Sequence, residues 1–154
     1  MALGDTLTQL REAVFELHPY VLDEAGLEAA LRSIARRTEA RYHIAVTLDL
    51  RYPRHHPQQP LLYSAARELL SNVVRHAHAT HATIRLAQTD GELELSVQDD
   101  GRGFSPEELA ERLADGHIGL AAQRVRVEAA GGHMDVTSAP GAGTRVAIRL
   151  PSAS

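Results

Sequence analysis

Glu68-Leu69-Leu70-Ser71-Asn72-Val73-Val74-Arg75-His76-Ala77 lies inside the strongest helix of the chain, which the pattern extends from Gln59 to Ala79. Leu62, Ala65, Ala66, Leu69, Leu70, Val73 and Ala77 recur at helical spacing and form one broad apolar stripe. Residues four apart on a helix are separated by only ~40° around its axis. Glu68 and Asn72 therefore project side by side, with Arg75 close to Glu68 on the same edge of the stripe. A carboxylate and an amide oxygen so placed are hard oxygen ligands, suited to Mg²⁺ directly or through its waters. Taken alone, the same residues also read as a solvated helix edge with an ordinary Glu–Arg pair.

On the N-terminal side of this helix, Asp5 to Leu17 places Leu7, Leu10, Val14 and Leu17 at helical spacing, and His18-Pro19 ends the run. A second amphipathic stretch spans Glu24 to Arg41, with Leu27, Ala30, Leu31, Ile34 and Ala35 on one face. His43 to Leu50 alternates as a strand, and Arg51 to Pro60 is a proline-bearing loop. On the C-terminal side, Ala82 to Gln88 and Glu92 to Asp99 read as a strand pair turning at Asp90-Gly91. A glycine-rich segment from Asp99 to Gly119 holds one short helix, Pro106 to Ala114. A further helix, Gly119 to Ala130, stops at Gly131-Gly132. Met134 to Ser138 and Thr144 to Leu150 are strands flanking Pro140-Gly141-Ala142-Gly143. This irregular alternation predicts an α+β chain: a two-layer α/β sandwich, its mixed and mostly antiparallel sheet covered by helices on one face.

Three glycine-bearing segments add chemistry to that frame. Asp99-Asp100-Gly101-Arg102-Gly103 follows a strand, so Asp99 is an acceptor held on a rigid element. Adenine offers an N6 amino donor where guanine offers an acceptor, so one buried Asp can select ATP. Gly101 and Gly103 remove side chains where a flat base or the backbone must come close. Gly116-His117-Ile118-Gly119-Leu120 opens a helix, whose N-terminal N–H groups form an anion site. Gly141-Ala142-Gly143-Thr144 precedes the last strand. Each alone is compatible with a turn or a cap.

Composition narrows the partners. The 154 residues are 44% hydrophobic and 23% charged with a net charge of −4, so nothing marks a nucleic-acid surface. All 16 basic residues are Arg, so phosphates must be met by Arg, His, backbone N–H groups or a metal. No cysteine is present, which excludes zinc–thiolate sites and thiol nucleophiles. His76 and His78 fall on different helix faces, and the histidines lack a metal spacing. No apolar run is long enough to cross a bilayer and no signal peptide is visible, so the chain reads as soluble.

Together, in this order, the four segments resemble the N, G1, G2 and G3 boxes of the GHKL ATPase superfamily, over about Gln58 to Pro151. The helix sequence is similar to a histidine kinase N box. Glu16-Leu17-His18-Pro19 with Gly26-Leu27 and Ala30-Leu31 resembles the junction of nitrate-sensor-like kinases, and His117-Ile118-Gly119-Leu120 suits that subfamily. The resemblance implies ATP and Mg²⁺ as cofactors. It implies Asn72 as a Mg²⁺ ligand and Glu68 as the acidic residue that assists proton transfer or orients water near the metal. It implies Asp99 at the adenine amino group, with Thr144 supporting it. Gly101, Gly103, Gly119 and Gly143 would shape the pocket, beside His117 and Leu120. Arg75 and His76 would face the phosphates. Asp100 stands where many relatives carry Asn.

The implied reaction is transfer of the ATP γ-phosphoryl to a histidine on a dimerisation domain, then to a response-regulator aspartate. Residues 1–22 would be the remnant of the dimerisation helix and junction, and 23–154 the ATP-binding catalytic domain. The implied partners are the chain's own dimerisation domain, in a homodimer, and a response regulator. The implied place is the cytoplasm, with no membrane contact by this domain. His18 is expected to be structural, since the subfamily's phosphoacceptor sits in a Glu-Leu-His-Asp pattern further upstream. Two rivals stay open: an anti-sigma-type serine kinase with the same boxes, and a non-catalytic ATP sensor.

Overall fold

A computed structural model of the chain describes residues 26–51, 58–114 and 118–151. The expected helix at Asp5–Leu17, the junction at 1–22 and His18 lie outside the described residues. Helix α1, Leu27–Tyr42, starts after Gly26 at φ 88 and stops at His43, which is left-handed at φ 57. Glu28 in its first turn and Arg41 in its last complement the helix dipole. It buries all five residues of the predicted apolar face. No side chain caps it locally; instead the Leu27 N–H donates to Gln59 Oε1 at 3.1 Å, from the start of the next helix. Strand β1 follows at Ala45–Arg51.

Helix α2 is α-helical over Gln59–Asn72, with Pro60 in the first turn, where a missing N–H costs nothing. The predicted helix to Ala79 is corrected here. Val73–Ala77 widens into a π-helical turn, and His78 leaves in the left-handed region at φ 52. The hairpin β2, His81–Thr89, and β3, Glu92–Asp99, turns at Asp90 and Gly91. Both turn residues have positive φ, 48° and 80°, as a two-residue turn of the Asp-Gly kind requires. Helices α3, Pro106–Ala114, and α4, Ile118–Ala129, precede strands β4, His133–Ser138, and β5, Thr144–Pro151.

Among the described residues, five strands form one sheet in the order β1-β2-β3-β5-β4. Only β1 and β2 run parallel; the other neighbours are antiparallel. The mixed, mostly antiparallel sheet with helices on one face is thus as the sequence predicts. Alternation along the strands sets the core. Leu93, Leu95 and Val97 of β3, Ile84 and Leu86 of β2, and Ile148 and Leu150 of β5 meet Leu62 and Leu69 of α2 and Leu31 of α1. Burying each such side chain contributes ~1.5–3 kcal/mol. Asp99 continues the inward period of β3, so the sheet delivers a carboxylate to the helix side. Among the described residues no helix is long and apolar enough to cross a membrane.

Candidate functional site

Asp99 ends β3 only 7% exposed. Its Oδ1 accepts the Gly101 N–H at 2.8 Å, and the sheet register sets it opposite Thr144. Burial pushes its carboxyl above the ordinary value; the backbone N–H groups of Gly101 and Thr144 work against that rise, and the charge of Asp100 adds to it. Asp100 turns the other way. Its carboxylate accepts the Thr80 N–H at 2.9 Å, the Thr80 hydroxyl at 2.8 Å and the His81 N–H at 3.0 Å. Those bonds hold it below the ordinary range. Asp100 therefore pins the start of β2 to the end of β3, a structural task the motif alone does not disclose.

The loop after Asp99 is seated on the end of α2. The Arg102 N–H donates to the Ala77 carbonyl at 2.7 Å, and any side chain at Gly101 would collide with that same carbonyl. Gly143, at φ 73, lies so close to the Asp99 carbonyl that a Cβ would overlap it. Gly103 sits beneath the turn between Ala139 and Gly143. Ser138 joins these pieces through one hydroxyl. It accepts the Phe104 N–H at 2.7 Å, contacts the Thr144 hydroxyl at 2.9 Å and donates to the Gly143 carbonyl at 3.0 Å. The sequence reading missed Ser138. Its only signal was a hydroxyl at a strand end directly before a Pro-Gly turn.

The oxygen-bearing edge of α2 is assembled as its spacing predicts. Arg75 Nη2 lies 3.4 Å from Asn72 Oδ1 and 3.5 Å from Glu68 Oε1. Arg75 is half exposed, so water competes for these long contacts. Two oxygens converging on one cation are a donor set that Mg²⁺ could use in part. Among the described residues no three His, Cys, Asp or Glu side chains group to hold a metal ion. His76 belongs to the π-helical turn, and its side chain is outside the description. Gly119 and Leu120 lie in the first turn of α4, with Leu120 buried in the core; His117 is outside the described residues. Buried Gln123 and exposed Arg126 both donate to Ser64 Oγ, at 3.4 Å and 3.2 Å, and so tie α4 to α2.

The chain is similar to several known proteins. It is 46% identical over 143 residues to the sensor histidine kinase NarS of Mycobacterium tuberculosis, covering 93% of this chain and 33% of that one. It is 33% identical over 146 residues to the signal transduction histidine-protein kinase/phosphatase UhpB of Salmonella typhimurium, covering 92% of this chain and 28% of that protein. The chain thus spans about a third or less of the length of these relatives. The solved mycobacterial sensor histidine kinase MprB shares the fold, with a TM-score of 0.67 at 24% identity over 82% of this chain and 95% of that one. Residues 58–154, from α2 to the C-terminus, match the family described as histidine kinase-, DNA gyrase B- and HSP90-like ATPases. The stretch that matches contains Asp99, the glycine loops seated around it and the Glu68–Asn72 edge, and with these the chain belongs to that ATP-binding family.

Proposed function

We propose that this is the ATP-binding catalytic domain of a two-component sensor histidine kinase, passing the ATP γ-phosphoryl to a histidine of a dimerisation domain and from there to a response-regulator aspartate. The observation that carries the reading is the seating of the Asp99–Gly103 loop on the end of α2, through Arg102 and Ala77. It seats the loop that follows the buried acceptor on the C-terminal end of the helix that carries Glu68 and Asn72. Asp99 would take the adenine N6 amino group, with Thr144 behind it and Gly101, Gly103, Gly119 and Gly143 leaving room for base and phosphates. Asn72, with Glu68, would hold Mg²⁺, which supplies charge neutralisation at the phosphates when bound. Glu68 would orient the incoming nucleophile, and Arg75 and His76, with His117 and Leu120, would line the phosphate side. Phosphoryl transfer needs little else from the protein beyond positioning and charge. The names of the relatives support a histidine as acceptor over the serine of an anti-sigma-type kinase. Residues 1–22 would then end the dimerisation helix, leaving His18 structural, and the domain would work in the cytoplasm.

The test supplies labelled ATP, Mg²⁺ and a separate dimerisation domain bearing the acceptor histidine. Acid-labile label should appear on that domain, slowly, because the two parts are no longer tethered. It should vanish with Asn72→Ala, and the chain alone should stay unlabelled. Label on the chain itself that is lost in His18→Ala, or stable label on a serine of an anti-anti-sigma substrate, would overturn the assignment.

A further inference from the structure

Asp99, Thr144 and Ser138 stand in one row across the sheet. The register sets Thr144 opposite Asp99 on one side and opposite Ser138 on the other. Residues paired directly opposite carry their side chains on the same face, roughly 4.5–5.5 Å apart at Cβ. Asp99 faces the helix side, so both hydroxyls do too. The row runs from β4 through β5 to the buried carboxylate at the end of β3.

The protons in this row can be assigned. A hydroxyl has one proton to give and two lone pairs to fill. The Gly143 carbonyl can only accept, so the Ser138 proton goes to it, at 3.0 Å. The Phe104 N–H can only donate, and it fills one lone pair of Ser138 Oγ at 2.7 Å. Ser138 is left with one lone pair and no proton. Its 2.9 Å contact with Thr144 Oγ1 is then a hydrogen bond with Thr144 as the donor. Thr144 has thereby spent its single proton on the side away from Asp99. Among the described residues Ser138 is the one hydrogen-bond partner of the Thr144 hydroxyl, whose oxygen keeps both lone pairs. Thr144 is half-buried, within reach of a bound group.

The geometry points to Ser138 as a positioning residue for base selection: by taking the Thr144 proton it makes Thr144 a pure acceptor beside Asp99, and the pair favours a purine with a 6-amino group over one with a 6-oxo group. The inference rests on the nucleotide site proposed above and adds to it the control of one proton. An N6 amino group, or a water handing on its protons, meets two acceptors in the row. A 6-oxo purine brings a third acceptor and finds no donor there. A Thr144 hydroxyl free to turn would supply that donor and soften the rejection.

Calorimetry on the full chain, with Mg²⁺ and either ATP or its 6-oxo counterpart ITP, reads the effect as the ratio of the two affinities. Ser138→Ala releases the Thr144 proton, and the preference for ATP should fall at least about fivefold. Ser138→Thr keeps a hydroxyl in place and should retain the preference. Thr144→Val removes the acceptor and should lower it as well. In that background Ser138→Ala should lower it no further, because the group it acts through is gone. If Ser138→Ala weakened ATP and ITP equally, the hydroxyl would only brace the loop, and the proposal would fall while the nucleotide site stood. An undiminished effect of Ser138→Ala in the Thr144→Val background would overturn it in the same way. A parent chain that bound neither nucleotide would overturn the site and this inference together.

Discussion

Asp99 loses its water on folding while its neighbour Asp100 stays exposed and gains three hydrogen bonds. The two carboxylates therefore give stability opposite dependences on pH. Asp99 has its folded value raised above the ordinary 3.8, so in the window upward from 3.8 the unfolded chain binds fewer protons and stability falls as pH rises. Asp99→Asn abolishes that slope. In urea titrations its stability relative to the parent should climb across the window, and a flat difference would show that the carboxyl is not desolvated. The same variant should bind ATP at least about tenfold more weakly by calorimetry, because an amide can present a donor to the N6 group. Asp100 is held below 3.8, so its contribution is full above that value and lost as pH falls through the depressed one. The deficit of Asp100→Asn should accordingly fade in acid. Asp99 was legible as a buried acceptor because the inward alternation of β3 ends on it, just before the glycine-bearing loop. Ser138 and Ala77 were not: one acts through a hydroxyl of a kind found at many turns, the other through a backbone carbonyl that has no side-chain signature.

At the scale of elements, the end of α2 and the loop after β3 are made for each other. Gly101→Ala would drive a methyl into the Ala77 carbonyl, and the loop or the π-helical turn must then move. Overpacking of this kind costs about 1–3 kcal/mol. The urea midpoint should drop accordingly, with ATP affinity falling alongside; a variant of unchanged midpoint and affinity would mean that the contact is loose. The apolar stripe of α2 was plain in the sequence, yet its widening at Val73–Ala77 was not, because helical periodicity does not register one displaced turn. The widened end is completed by Arg102, far along the chain. Helix α3 was legible at both ends, and its start is locked by a reciprocal cap. Ser105 Oγ accepts the Glu108 N–H at 3.2 Å, and Glu108 Oε1 accepts the Ser105 N–H at 3.2 Å. Apart from that cap, the residues of α3 from Pro106 to Glu111 are exposed or half-buried. Hydrogen exchange over Ser105–Ala114 should therefore slow on adding ATP and Mg²⁺, and by more than in β3. Equal protection in the two would place α3 outside the nucleotide response.

For the molecule as a whole, the strands were readable one by one, but their order was not. Alternation gives each strand a face, whereas the parallel pairing of β1 with β2 depends on α2 carrying the chain back across the sheet. That pairing has a consequence for where the chain can be cut. The family match begins at residue 58, after α1 and β1 have passed. Yet β1 occupies the edge of β2, and Leu27, Leu31 and Ile34 of α1 are fully or almost fully buried. A fragment beginning at Gln58 would bare a row of unpaired backbone groups along β2 next to uncovered Leu62 and Leu69, the template on which strands of separate chains add to one another. Gel filtration should find that fragment in the void volume, and the full chain in a discrete peak. A monomeric, cooperatively unfolding fragment would contradict this. The family match begins at residue 58, but the unit that pairs the edge of β2 and covers the core reaches back at least to Leu27.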